Sequence, residues 1–146
     1  PVIIMHMNGV PKTMQLHPTY ENVMDEILSF FETRINFMTK HGILERNIIL
    51  DPGIGFGKSI EHNITIIKNV GVFKRFKLPL LIGASRKSFI GKILDVTPEF
   101  RLEGTLAVAA LMFRQDIDYL RVHDVAAHRR FLKCLSVLDV KGELLN

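Results

Sequence analysis

Apolar residues follow two rhythms along this chain. Four short unbroken runs stand out: Val2-Ile3-Ile4-Met5, Asn47-Ile48-Ile49-Leu50-Asp51, Leu80-Leu81-Ile82-Gly83 and Tyr119-Leu120-Arg121-Val122. Between them, apolar positions recur at steps of three and four. The short runs predict buried strands, and the stepped stretches predict amphipathic helices. Val23, Met24, Ile27, Leu28, Phe31, Ile35 and Met38 mark a first helix between Tyr20 and His41, with Gly42 placed to cap it. Ser59 suits the N-cap of a second helix reaching about Phe76. Ser85-Arg86-Lys87-Ser88 opens a short helix, and Thr97-Pro98 has the order of a helix start, for a helix running to Arg114. Asp124 is placed to cap the last helix.

The order is strand then helix, four times over. Continuous apolar strands point to a parallel sheet covered on both faces, hence an α/β fold. Two architectures satisfy this: an open doubly wound sheet, or four consecutive units of an eight-unit barrel. A whole barrel takes about 250 residues, so a chain of 146 residues would be half of one. The start on a strand favours the barrel, and no linker or low-complexity segment divides residues 1–146.

Composition narrows the class. Hydrophobic residues make up 47% and charged residues 23%, the balance of a folded, soluble domain. The longest apolar run, Leu106 to Phe113, falls well short of the ~18 residues of a membrane span. No basic-then-apolar leader opens the chain, and the single cysteine, Cys134, excludes an internal disulfide, so a cytoplasmic protein is expected. Phe131, Leu132 and Leu135 around Cys134 predict a packed, inert thiol. The net charge of +4 is not gathered into basic stripes, which argues against nucleic acid and suits a small anionic substrate.

The candidate chemistry falls at strand ends, where a parallel α/β fold binds its ligands. Asp51 ends the second strand, before Pro52-Gly53. It reads either as a turn residue bonding its own backbone or as a carboxylate accepting N–H bonds from a heterocycle. The loop from Pro52 to Ser59 comes close to a phosphate-binding loop but carries Pro52 where the first glycine belongs. Ser85-Arg86-Lys87-Ser88 sets two cations and two hydroxyls at a helix start. Arg121 and His123 lie two apart on one strand face, suggesting a shared phosphate-like ligand, and a buried guanidinium there needs an anionic partner. The histidines show no metal-ligand spacing, and His6, between Met5 and Met7, reads as structural.

Four segments together resemble the dihydropteroate synthase family: Met5-His6-Met7-Asn8-Gly9 with Pro11-Lys12-Thr13-Met14-Gln15; Leu50 to Lys58; Ile82 to Ser88; and Arg121-Val122-His123-Asp124. The resemblance implies the fifth to eighth units of a (β/α)8 barrel that joins dihydropterin diphosphate to 4-aminobenzoate in folate synthesis, releasing diphosphate. It further implies a pterin site of Met5, Asp51, Gly83 and Lys87. The aminobenzoate site would hold Phe56, Arg86, Lys87 and Ser88, and Arg121 and His123 would bind the diphosphate. Asp51, Lys87, Arg121 and His123 would carry the catalysis. Mg2+ is implied, with its ligands in the absent first half, as is a homodimer through the late helices.

Two other readings remain: a pterin-binding methyltransferase domain, which has no need of the Arg86-Lys87 pair, and a non-catalytic half-barrel acting as an interaction module. A half-barrel would also leave unpaired strand edges. A verified 146-residue chain is therefore expected to lack appreciable synthase activity, and turnover by it alone would refute this.

Overall fold

A computed structural model describes residues 1–9 and 18–138. The Pro11-Lys12-Thr13-Met14-Gln15 segment lies outside them. Four strands, β1 (Val2–Met5), β2 (Ile48–Asp51), β3 (Leu81–Ile82) and β4 (Tyr119–Leu120), alternate with five helices. These are α1 (Val23–Lys40), α2 (Ile60–Asn69), α3 (Ser88–Leu94), α4 (Leu102–Arg114) and α5 (Val125–Leu138).

The helix boundaries follow from local chemistry. The side-chain oxygen of Asn22 accepts the N–H groups of Met24 and Asp25 at 3.0 and 3.3 Å, starting α1. Gly42, at φ 87°, ends it as expected, while the N–H of Ile43 turns back to the carbonyl of Met38. At α2 the Ser59 hydroxyl accepts from the His62 amide, and His62 Nδ1 accepts from the Ser59 amide, each at 3.2 Å. That reciprocal pair closes a capping box.

Sequence periodicity runs α2 on to Phe76, but the α-helix stops at Asn69 and a 3-10 segment, Val70–Phe76, follows. Gln115 supplies the reason. Its side-chain amide donates to the Ile67 carbonyl and accepts from the Gly71 amide, at 3.0 and 3.1 Å. Those are the two groups that would otherwise bond to each other in a continuing helix. The Thr97-Pro98 start also differs, giving a 3-10 turn at Pro98–Phe100 before α4 begins.

β1 and β2 run parallel, with Met5 opposite Asp51, and β3 and β4 run parallel, with Ile82 opposite Leu120. The two pairs are joined by one bridge, Leu50 against Leu80, giving the spatial order β1-β2-β3-β4. The third and fourth strands are shorter than the sequence predicts. Ile4, Ile48, Leu50, Leu80 and Ile82 enter the core together with Ile27, Phe31 and Ile66 from the helices. The alternate face is less covered than the continuous apolar runs predict, since Ile3 and Tyr119 remain 47% and 49% exposed.

α5 turns Ala127, His128, Phe131, Leu132 and Leu135 inward, a 3.6-residue stripe that leaves Cys134 exposed rather than packed. Among the described residues no helix is long and apolar enough to cross a membrane.

The aromatic centre of the core is Phe31, fully buried, which meets Phe73 and Phe76 edge-on at centroid distances of 5.5 and 6.1 Å. Phe31→Ala is expected to cost about 3–5 kcal/mol, read as a lower urea midpoint with an unchanged slope.

Candidate functional site

The parallel register brings the carboxyl ends of β2, β3 and β4 side by side, each followed by a loop with polar residues. A cavity of about 190 Å³ opens there, lined by Phe56, Gly83, Ser85, Lys87, Arg121, Val122 and His123. Asp51 sits at the base of this cluster, 1% exposed.

Burial pushes the Asp51 carboxyl upward, and neighbouring donors oppose that shift. The Gly53 amide donates to Oδ1 at 2.8 Å, and Arg121 Nη2 donates to Oδ2 at 3.3 Å, with Lys87 and Lys58 adding positive charge nearby. Asp51 is thus the turn residue its sequence position allowed, and its buried carboxyl is also bonded to Arg121 of the cavity lining. Gly83 makes the Arg121 contact possible, since a Cβ there would lie 2.9 Å from Nη2. The Arg121 guanidinium is not buried as the apolar strand predicted, but 54% exposed, because the ladder ends beside it.

Lys87 reaches over the Phe56 ring, its Nζ 4.3 Å from the centroid, and donates to the Ile54 carbonyl. Burial lowers its pKa to about 8, with Asp51 raising it and Arg121 lowering it. His123 Nδ1 meets the Ser85 hydroxyl at 2.9 Å, and the His123 amide donates to the same oxygen at 3.2 Å. One serine therefore fixes both the backbone and the ring of His123.

The predicted residues are not all brought together. Asp51, Phe56, Gly83, Lys87, Arg121 and His123 converge. Met5 pairs with Asp51 across the strands, yet lines a separate groove at the β1 edge with Ile3, Phe30 and Arg34. Ser88, the first residue of α3, is exposed and outside the cavity lining. Arg86 turns to Asp124, donating from Nε at 2.9 Å and from Nη2 at 2.6 Å. Asp124 precedes α5 as expected and its carbonyl accepts the His128 amide, but its carboxylate is engaged by Arg86.

Sequence reasoning missed Lys58. It is 3% exposed, with Nζ 3.0 Å from His6 Nδ1 and 3.1 Å from the Phe56 carbonyl it donates to. Burial, opposed by Asp51 and assisted by Lys87, brings its pKa down to about 7. Burial and then the Lys58 charge bring His6 down to about 4. The pair ties the end of β1 to the loop after β2. Its signal in the sequence was a lysine inside a glycine-rich loop, but its partner lies far away along the chain.

No group of three or more His, Cys, Asp or Glu side chains among the described residues has the arrangement of a metal site. The charged side chains lining the cavity, Lys87 and Arg121, are cationic. These residues do not fit Mg2+.

Comparison with known proteins gives a consistent result. The profile of a family described as pterin binding enzyme matches residues 1–123. The dihydropteroate synthase of Haemophilus influenzae is 45% identical over 133 residues, covering 91% of this chain and 48% of that protein. The Escherichia coli dihydropteroate synthase is 46% identical over 125 residues, covering 86% and 44%. The Yersinia pestis dihydropteroate synthase, solved with a sulfonamide drug complex, superposes with a TM-score of 0.92 at 38% identity, over 94% of this chain and 50% of that one. The chain spans about half the length of the curated relatives it matches.

Gly53 carries a steric demand that can be tested. At φ 69° its missing Cβ would collide with the His6 carbonyl, whereas Gly42 has a similar φ of 87° and open space around it. Gly42→Ala is expected to cost about 1–2 kcal/mol from backbone strain alone. Gly53→Ala adds a displaced strand end and is expected to cost about 2–5 kcal/mol. Equal urea midpoints for the two variants would overturn this reading.

Proposed function

Because this chain belongs to the pterin-binding enzyme family, we propose that it contributes the pterin-binding and diphosphate-binding side of a dihydropteroate synthase. In that reaction the amine of 4-aminobenzoate attacks the methylene carbon of dihydropterin diphosphate. The carbon–oxygen bond breaks, diphosphate leaves with the bonding electron pair, and the amine gives up a proton. The observation that carries the reading is the buried Asp51 carboxylate bonded to Arg121, which lines one small cavity together with Lys87 and His123.

Each residue then has a physical task. Loss of diphosphate leaves positive character on the methylene carbon and the pterin ring. Asp51, accepting the N–H groups of the amino-pyrimidine edge, interacts more strongly as that charge grows, so it favours the transition state over the ground state. For this it exchanges its contact with Arg121 for the ring. His123, held by Ser85, is oriented before the bond breaks, and Arg121, once released from Asp51, joins it at the leaving anion. Lys87 donates to the pterin carbonyl while its stem and the Phe56 ring flank the aminobenzoate ring. Ser88 at the start of α3 meets the aminobenzoate carboxylate, while Arg86 stays bound to Asp124. Gly83 leaves room for the flat ring. The amine needs positioning more than activation. Mg2+, if the complete synthase uses it, takes its protein ligands from outside the described residues.

The fold supports a finer reading as well. Strands in unbroken sequential order, with α1 packed on α2, α2 on α4 and α4 on α5, suit four consecutive units of a (β/α)8 barrel. Barrel closure would bury Ile3 and Tyr119. Exposed Leu111, Val125 and Val137 on α4 and α5 suit a homodimer, in a protein working in the cytoplasm.

The test is dihydropteroate formation by the full protein carrying this sequence, with diphosphate released one for one. Asp51→Ala is expected to lower kcat/KM about a hundredfold or more; a variant as fast as the parent would refute the reading. The ammonium form of Lys87 is the donor, and its cationic fraction falls as pH rises through about 8. The kcat/KM profile, which reports the free enzyme, should therefore decline above that pH. Lys87→Arg, always charged, should abolish that alkaline limb even where the rate itself drops.

A further inference from the structure

Four non-glycine residues among those described have positive φ: Lys77, Arg86, Asp95 and Asp116. Lys77 and Asp95 are helix C-caps, and Asp116 directly follows the C-cap of α4, all places where a left-handed residue is common. Arg86 is different. It sits at φ 55° in the loop between β3 and α3, as the third residue of a tight turn closed by the Lys87 amide on the Ala84 carbonyl. Glycine or asparagine usually occupies such a position, because a Cβ there is strained.

The amide, the carbonyl and the guanidinium of Arg86 are all engaged around that conformation. Its amide donates to Thr105 Oγ1 at 3.1 Å, from α4. Its carbonyl accepts from Arg101 Nη1 at 2.9 Å. Its guanidinium grips the Asp124 carboxylate with two parallel bonds, across to the loop after β4. On either side stand Ser85, which holds His123, and Lys87, which reaches over Phe56.

We propose that Arg86 and Asp124 are positioning residues: their ion pair holds the left-handed turn that aims Lys87, and keeps the His123 loop docked against it. Arg86 thus acts through its own backbone, and a side chain is tolerated at a glycine position because its far end is anchored. Asp124 acts through Arg86 and needs no ligand contact of its own. The assignment rests on the synthase reading for the identity of the ligands, and on geometry alone for the clamp.

A backbone-rescue series in the full protein tests this. Arg86→Ala loses the clamp and keeps the strained Cβ; Arg86→Gly loses the clamp and the strain together. Arg86→Ala and Asp124→Ala are expected to speed amide hydrogen exchange at Arg86 and Lys87, and to raise KM for 4-aminobenzoate, by roughly five- to thirty-fold. Exchange in the buried stripe of α1 should stay unchanged, which separates loosening of the turn from global unfolding. Arg86→Gly, and Arg86→Gly combined with Asp124→Ala, should recover most of the KM. Two results would overturn the proposal: Arg86→Gly as impaired as Arg86→Ala, which would make Arg86 a direct ligand contact, or unchanged exchange in Asp124→Ala. Absence of turnover in the unsubstituted protein would instead defeat the synthase reading, with the exchange pattern still deciding the clamp.

Discussion

A carboxylate sealed into the end of a parallel strand is the constraint on which this structure turns. Asp51 is almost wholly out of water, and an uncompensated charge there would be prohibitively expensive. The surroundings are arranged around that expense. Gly53 has no side chain, so its amide can fold back onto Oδ1 while its Cα presses on the His6 carbonyl. Gly83 is bare so that Arg121 can lie across it to Oδ2. Lys58 and Lys87 are held close enough for their fields to be felt, although burial makes both reluctant cations. The site is therefore an anion surrounded by cations at the base of an opening.

Much of this could be read in the sequence, because it is written locally. The strand–helix rhythm, the Ser59 cap, the Gly42 terminus and the strand-end placement of Asp51, Lys87 and His123 depend on residues a few positions apart. The turn reading of Asp51 holds because the Gly53 amide does bond back to its carboxylate. The failures share a different cause. Gln115 interrupting α2, Asp124 gripping Arg86, and Lys58 meeting His6 are pairings between distant residues, which no local pattern records. Arg121 was expected to be buried because its neighbours are apolar, but the strand pairing stops at Leu120 and leaves the side chain half in solvent.

Family membership and geometry contribute different things. The match to pterin-binding enzymes names the family, and the structure shows where each side chain stands. It also redistributes roles within the Ser85–Ser88 turn. Lys87 lines the opening, Ser85 steadies His123, and Ser88 stands at the exposed start of α3. Arg86 faces away toward Asp124. Four neighbouring polar residues thus point in different directions, because one left-handed residue turns the chain between them.

The joint between the strand pairs has a mechanical meaning. β1-β2 and β3-β4 are each laddered internally, and among the described residues a single bridge, Leu50 to Leu80, joins their backbones as a sheet. The contacts from Asp51 to Arg121 and from Lys87 to Ile54 and Phe56 cross that same seam near the opening. The backbone ladder is therefore thinnest beside the opening. A ring held by Asp51 on one side and Lys87 on the other would act as a rivet through the seam, stiffening the sheet in proportion to how tightly it is bound.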